Sequence, residues 1–181
     1  MNKRIFLVLE DFNETNKQLP KGYSIRQYQA KDKPRWLKLI VEQGVLETPE
    51  VAIQSFQDVY EQDLEWTNQW LYCVVDSSDI AVSFCSISKG NHTPSMTYRL
   101  HFVATDNKHL RKGLSEVLIS RILNDFLQEY PFEKIYVVTQ PIFDKAIVLY
   151  QKLGFVPKIL ESTLVSKAQQ QDYWSLVGIN L

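Results

Sequence analysis

Cysteine and histidine are scarce in this chain of 181 residues, which holds two of the first and three of the second. Cys73 and Cys85 sit in separate apolar runs and neither belongs to a Cys-x-x-Cys pair. With three scattered histidines they make no metal-ligand spacing, so no metal is expected. Each is read as a buried thiol, because free cysteine packs as a small hydrophobe; a disulfide between neighbouring strands is the alternative. Charge of one sign is also missing. The 20 basic and 21 acidic residues give a formal net charge of −1, which argues against a globally basic binder of nucleic acid or anionic membrane. No apolar run is long enough to cross a bilayer. Met1 to Arg4 followed by Ile5 to Leu9 has the order of a signal peptide, but the apolar stretch is too short and Glu10-Asp11 end it. A cytoplasmic location is the default expectation, and the glycosylation pattern Asn91-His92-Thr93 then carries little meaning. Internal repeats and low-complexity segments are absent.

What is present is ordinary globular material, with 45% apolar and 23% charged residues. The length suits one domain or a domain with an extension. Residues 1–18 read as an N-terminal strand or arm, with the strand at 4–12, and residues 19–181 as the domain proper. Tyr23 to Tyr28 alternates like a strand. Asp32 is a candidate helix N-cap before Pro34, and Trp36, Leu37, Ile40 and Val41 follow at helical spacing up to Gly44. Thr48-Pro49-Glu50 starts a second helix that runs to about Trp66. Trp70–Val75 and Ile80–Ile87 form a predicted hairpin around Asp76–Asp79, and Thr97–Thr105 a third strand. A long helix runs from Gly113 to about Tyr130, with Leu114, Val117, Leu118, Ile122 and Leu123 on its apolar face. Lys134–Thr139 reads as a covered central strand, Asp144–Lys152 as a helix closed by Gly154, and Val156–Val165 and Tyr173–Leu181 as two final strands. A meander followed by a right-handed strand–helix–strand crossover gives a mixed sheet with helices on both faces.

The most informative segment lies between the third strand and the long helix. Lys108, Arg111 and Lys112 crowd a loop that enters a helix at Gly113. A helix start offers free backbone N–H groups and the positive end of the dipole, which together bind phosphate. Gly113 would let a pyrophosphate approach closely, and Ser115 could add a hydroxyl. An ordinary strand–loop–helix corner with solvated basic residues fits the same letters.

Leu110-Arg111-Lys112-Gly113-Leu114-Ser115 resembles the Gln/Arg-x-x-Gly-x-Gly/Ala signature of the GNAT acetyltransferase superfamily. The glycine is in place, whereas Leu110 and Ser115 depart from the pattern. Further on, Ala146, Tyr150, Gly154 and Phe155 fall in register with the superfamily's Asn-x-x-Ala-x-x-x-Tyr-x-x-x-Gly-Phe, and Phe143 replaces its asparagine. The resemblance covers about residues 19–181 and is strongest over 97–157. It implies an α/β fold with a mixed, mostly antiparallel sheet of about seven strands flanked by about four helices. It also implies an N-acetyltransferase that uses acetyl-CoA as co-substrate and acts on a primary amine of a small molecule or protein, as a monomer or homodimer.

The same resemblance implies residue roles. The thioester would lie along the third strand at Phe102, Val103 and Ala104, and the pyrophosphate on Leu110, Arg111, Lys112, Gly113, Leu114 and Ser115. Tyr150 matches the tyrosine that many members use as general acid toward the CoA sulfur; simple packing is its other reading. Arg99 stands where some members carry a carboxylate base, and arginine cannot do that work near neutral pH. His101, two residues on, has a side chain suited to it. Glu61, Asp63 and Glu65 read as a solvated acidic face, and a mechanism without a dedicated base also fits. A non-catalytic acyl-CoA-binding module is the rival of another class, supported by Leu110 and Phe143.

Overall fold

Residues 3–181 are described by a computed structural model. Met1 and Asn2, the start of the expected N-terminal arm, lie outside the described residues. The strands are β1 (Ile5–Leu9), β2 (Ser24–Gln27), β3 (Leu71–Val75), β4 (Ala81–Lys89), β5 (Tyr98–Thr105), β6 (Ile135–Thr139) and β7 (Phe155–Lys158). The helices are α1 (Lys33–Glu42), α2 (Pro49–Phe56), α3 (Leu64–Trp70), α4 (Leu114–Glu129), α5 (Asp144–Lys152) and α6 (Lys167–Ser175). The sheet has seven strands in the order β2-β3-β4-β5-β6-β1-β7. It is mixed, with β2–β3, β3–β4, β1–β6 and β1–β7 antiparallel and β5–β6 parallel. The expected fold class holds, with six helices rather than about four.

The chain forms two compact units. One contains the residues up to Glu14 together with Lys89–Leu100 and Phe126–Leu181; the other contains Thr15–Ser88 and His101–Asp125. In the first, β1 is an interior strand with neighbours on both sides, β6 and β7. Its apolar letters Ile5, Phe6 and Leu7 suit that place, since all three are fully buried. Phe6 and Val8 share a core with Met96, Tyr136 and Val165. The chain leaving β1 then docks on the α5–β7 turn, where Glu10 N–H bonds Gly154 O at 3.2 Å and Asn13 N–H bonds Leu153 O at 3.1 Å.

The C-terminal region departs from the two strands expected there. β7 is only four residues long, and 167–175 is helical. Ser166 Oγ accepts from Gln169 N–H at 3.2 Å and Gln169 Oε1 accepts from Ser166 N–H at 2.9 Å, a reciprocal cap that starts α6. Gln170 and Trp174, one turn apart, are both fully buried, and the Gln170 amide clasps both backbone groups of Leu160 at 2.7 and 2.9 Å.

In the second unit, Trp36, Leu39 and Ile40 of α1 and Ala52 and Phe56 of α2 pack with Leu71, Cys73, Phe84 and Ala104. Two sequence expectations need correction here. The helix expected to run from Pro49 to Trp66 is broken. After α2 the chain makes a widened turn at Gln57–Glu61, and α3 restarts with Asp63 as its cap, whose carboxylate accepts from Trp66 N–H at 3.0 Å. Asp32 does precede α1, but its carboxylate does not cap that helix. It closes the preceding turn through Gln29 N–H at 2.8 Å and grips the Arg26 guanidinium through both oxygens, at 2.7 and 3.0 Å. Cys73 and Cys85 are free and buried, as read from the sequence. Burial pushes both thiols upward, Cys73 to about 12. No described helix is long and apolar enough to cross a membrane.

Candidate active site

The site is built around a kink in β5. Its parallel register with β6 runs from Tyr98↔Ile135 to Leu100↔Val137. Two residues later Phe102 takes φ +48°, a left-handed backbone rare for a bulky side chain and concentrated at functional sites. In a regular strand, residues 101 and 102 would point to opposite faces. Here the kink stacks the two rings, with His101 and Phe102 centroids 3.6 Å apart and planes 21° apart. Phe102 in turn packs edge-on against Trp36 at 5.1 Å and near Tyr60 at 6.2 Å. Val103 is half-buried and Ala104 is buried.

Beyond Thr105 the chain turns sharply. Asp106 Oδ1 accepts from Lys108 N–H and Asp106 O from His109 N–H, both at 2.8 Å. The Arg35 guanidinium bonds the same carboxylate and also the Ala81 carbonyl, at 3.0 Å. Burial opposes the Asp106 charge, but the Lys108 amide and Arg35 outweigh it and hold the carboxyl below the usual carboxylate range. Leu110 follows in extended conformation, then Arg111 at φ +61° and Gly113 at φ +75°. Left-handed residues in a loop entering a helix are the ingredient of anion-binding backbone concavities. A side-chain carbon on Gly113 would meet only Lys17 Cδ at 3.6 Å, so backbone conformation rather than space calls for glycine. The first bond of the α4 ladder joins Val117 N–H to Gly113 O at 3.1 Å. The amides of Leu114, Ser115 and Glu116 therefore precede the ladder.

Side chains brace this turn. Ser83 Oγ, Thr105 Oγ1 and Ser115 Oγ form a chain of hydroxyls at 2.7 and 2.8 Å, so the Ser115 hydroxyl already has a protein partner. Lys112 Nζ donates to Tyr23 Oη at 2.8 Å, and that hydroxyl pairs with His109 Nδ1 at 2.8 Å. Glu116 is buried in the first turn, where Thr15 Oγ1 donates to it at 2.7 Å and Lys17 Nζ at 2.6 Å. Tyr23, Thr15 and Lys17 were not singled out from the sequence; they join the turn across 86 or more positions, and no local signal marks that.

The residues expected to hold cofactor, Phe102 to Ala104 and Leu110 to Ser115, thus share one unit with His101. His101 Nδ1 lies 3.0 Å from Ser88 Oγ, and its carbonyl accepts from Ser86 Oγ at 3.1 Å. Tyr150 belongs to the other unit. It lies on the inner face of α5, 5% exposed, with its ring edge-on to Phe155 at 5.9 Å. Gly154 at φ +98° closes that helix. Among the described residues, no cluster of three His, Cys, Asp or Glu side chains could hold a metal ion.

A sequence profile of the Acetyltransferase (GNAT) family matches residues 34–155. Comparison with curated proteins returns no match. Among solved structures, the chain is similar to a GCN5-related N-acetyltransferase from Sphaerobacter thermophilus, at 15% identity and TM-score 0.62, over 87% of this chain and 50% of that one. A tandem GNAT protein from the clavulanic acid biosynthesis pathway aligns at 16% identity and TM-score 0.60, over 86% and 50%. An acetyltransferase of the GNAT family from Staphylococcus aureus aligns at 15% identity and TM-score 0.56, over 71% and 80%. The chain spans about half the length of the first two.

Proposed function

Because the chain belongs to the GNAT acetyltransferase family, we propose that it transfers an acetyl group from acetyl-CoA to a primary amine. The observation that carries this reading is the backbone between Leu110 and Ser115. Two left-handed residues lead into the first turn of a 16-residue helix, whose opening amides precede its ladder. That arrangement suits a pyrophosphate. Phe102, Val103 and Ala104 would line the pantetheine and thioester, where the strand amides polarise the carbonyl as charge develops on its oxygen.

In this reading the neutral amine attacks the thioester carbon directly. The C–N bond forms, the tetrahedral intermediate collapses, and the C–S bond breaks. His101 takes the proton released by the amine nitrogen, and Tyr150 donates its phenolic proton to the departing thiolate. The acceptor is a small molecule or a protein amine, and the cytoplasm is the proposed location.

The test is acetyl transfer from isotope-labelled acetyl-CoA to an amine library, read by mass spectrometry, with Tyr150→Phe beside the wild type. Labelled product from wild type and a fall with Phe at 150 support the reading. If acetyl-CoA neither binds nor shifts melting, the reading fails. A non-catalytic acyl-CoA-binding module is the second reading. It is favoured by Phe143, which leaves the start of α5 without a side-chain cap where the family carries asparagine. Melting protection by acetyl-CoA without transfer to any amine would select it.

A further inference from the structure

Lys17 reaches the start of α4 from far away in the chain. It lies in the irregular stretch between β1 and β2, 99 positions before Glu116. Its stem passes the left-handed glycine of the turn, with Lys17 Cδ 3.6 Å from where a Gly113 Cβ would stand. Its ammonium then ends on Glu116 Oε2 at 2.6 Å, while Thr15 Oγ1 donates to Oε1 of the same carboxylate at 2.7 Å. Thr15 N–H bonds Ser120 Oγ at 3.0 Å, one turn further along α4. The ion pair is lopsided: the Glu116 side chain is 8% exposed and that of Lys17 49%. Glu116 suits the positive end of the helix dipole, but it also sets a negative charge in the turn whose amides precede the ladder. A diphosphate seated on those amides would be repelled by that carboxylate. A cation beside both reverses the balance.

We propose that Lys17 is a cofactor-binding residue: its ammonium cancels the Glu116 charge and pairs with the diphosphate of acetyl-CoA beside Gly113, so that the Thr15–Lys17 segment forms one wall of the phosphate cradle. This rests on the reading of Leu110–Ser115 as the pyrophosphate seat given above. One ammonium can serve two anions, since it carries three donors and a full charge. Lys17 belongs to no part of the Leu110–Ser115 motif, and only the long-range contacts of Thr15 and Lys17 with α4 bring it there.

Titration calorimetry on the full chain tests this without any acceptor, with acetyl-CoA and acetyl-dephospho-CoA as probes. The second probe keeps the diphosphate and lacks the 3′-phosphate. Lys17→Met is expected to weaken both probes about tenfold, and Lys17→Arg, which keeps the charge, by about twofold or less. Glu116→Gln still offers an oxygen to Thr15 but removes the competing charge, so it should bind both probes about threefold more tightly. A purely structural brace predicts the opposite sign, because Glu116→Gln would loosen the turn. Raising the salt concentration should weaken the wild type more steeply than Lys17→Met. Unchanged affinity in Lys17→Met overturns the proposal. So does a loss confined to acetyl-CoA, which would place Lys17 at the 3′-phosphate, and so does unchanged or weaker binding by Glu116→Gln. Should Lys17→Met fail to fold, the direction of the Glu116→Gln change decides alone. A wild type that binds neither probe fells the parent reading, whereas a wild type that binds both while Lys17→Met matches it fells only the role of Lys17.

Discussion

The carbonyl of Asp11 occupies the space that a side chain on Gly154 would need. A Cβ built there would collide with the Asp11 oxygen and stand 2.7 Å from its carbonyl carbon, and the glycine has φ +98°. The N-terminal segment and the end of α5 are thus joined through a position where any side chain must push backbone aside. Gly154→Ala is expected to cost about 2 kcal/mol or more of stability, from the left-handed conformation and the clash together. Urea unfolding followed by circular dichroism measures it.

Gly113 presents the opposite case. Its φ is +75°, but the nearest atom to an added Cβ is Lys17 Cδ at 3.6 Å, an ordinary van der Waals distance. Gly113→Ala should therefore fold, with a stability loss of about 1 kcal/mol. The extra methyl would stand where a phosphate approaches the backbone, so acetyl-CoA should no longer raise the melting temperature. Calorimetry with and without acetyl-CoA separates the two effects.

Tyr150→Phe keeps the ring that packs on Phe155 and removes only the hydroxyl. If that hydroxyl protonates the thiolate, kcat falls by about ten- to a hundredfold while KM for acetyl-CoA is unchanged. Steady-state kinetics on an amine found by library screening reads both. Full activity with Phe at 150 would remove the tyrosine from the mechanism.

His92 makes stability depend on pH. Burial, with Arg99 and Arg4 nearby, lowers its pKa from 6.5 to about 4. Between those values the unfolded chain binds a proton that the folded chain refuses, so stability falls as pH drops through that window. The ring is partly solvated, and screening reduces the effect to about 1–2 kcal/mol. Urea unfolding at pH 7 and at pH 5 should show the loss, and His92→Gln should flatten it.

The sheet was legible in the sequence because its strands carry the pattern their burial demands. The apolar runs at Leu71–Val75 and Ile135–Thr139 belong to strands with neighbours on both sides. The turn into α4 was legible for a similar reason: glycine after basic residues marks a helix start, and Gly113 is where the ladder begins. Other features left no local trace. The left-handed Phe102 contradicts what its side chain prefers, and its ring packs against Trp36 and Tyr60, which are distant in the sequence. The Lys112–Tyr23 bond spans 89 positions. α6 is a different failure, since the Ser166-x-x-Gln169 cap was written in the sequence but the polar run Ser166–Asp172 reads as a turn between two strands.

The hydroxyl chain from Ser83 through Thr105 to Ser115 has a kinetic consequence. Together with Asp106, Arg35 and Tyr23, it ties both ends of the 106–115 turn to strands and helices that are already packed. A segment so tethered has little backbone freedom left to surrender when an anion arrives. Association of acetyl-CoA is therefore expected to follow a single concentration-dependent phase set by encounter, with no slower ordering step behind it.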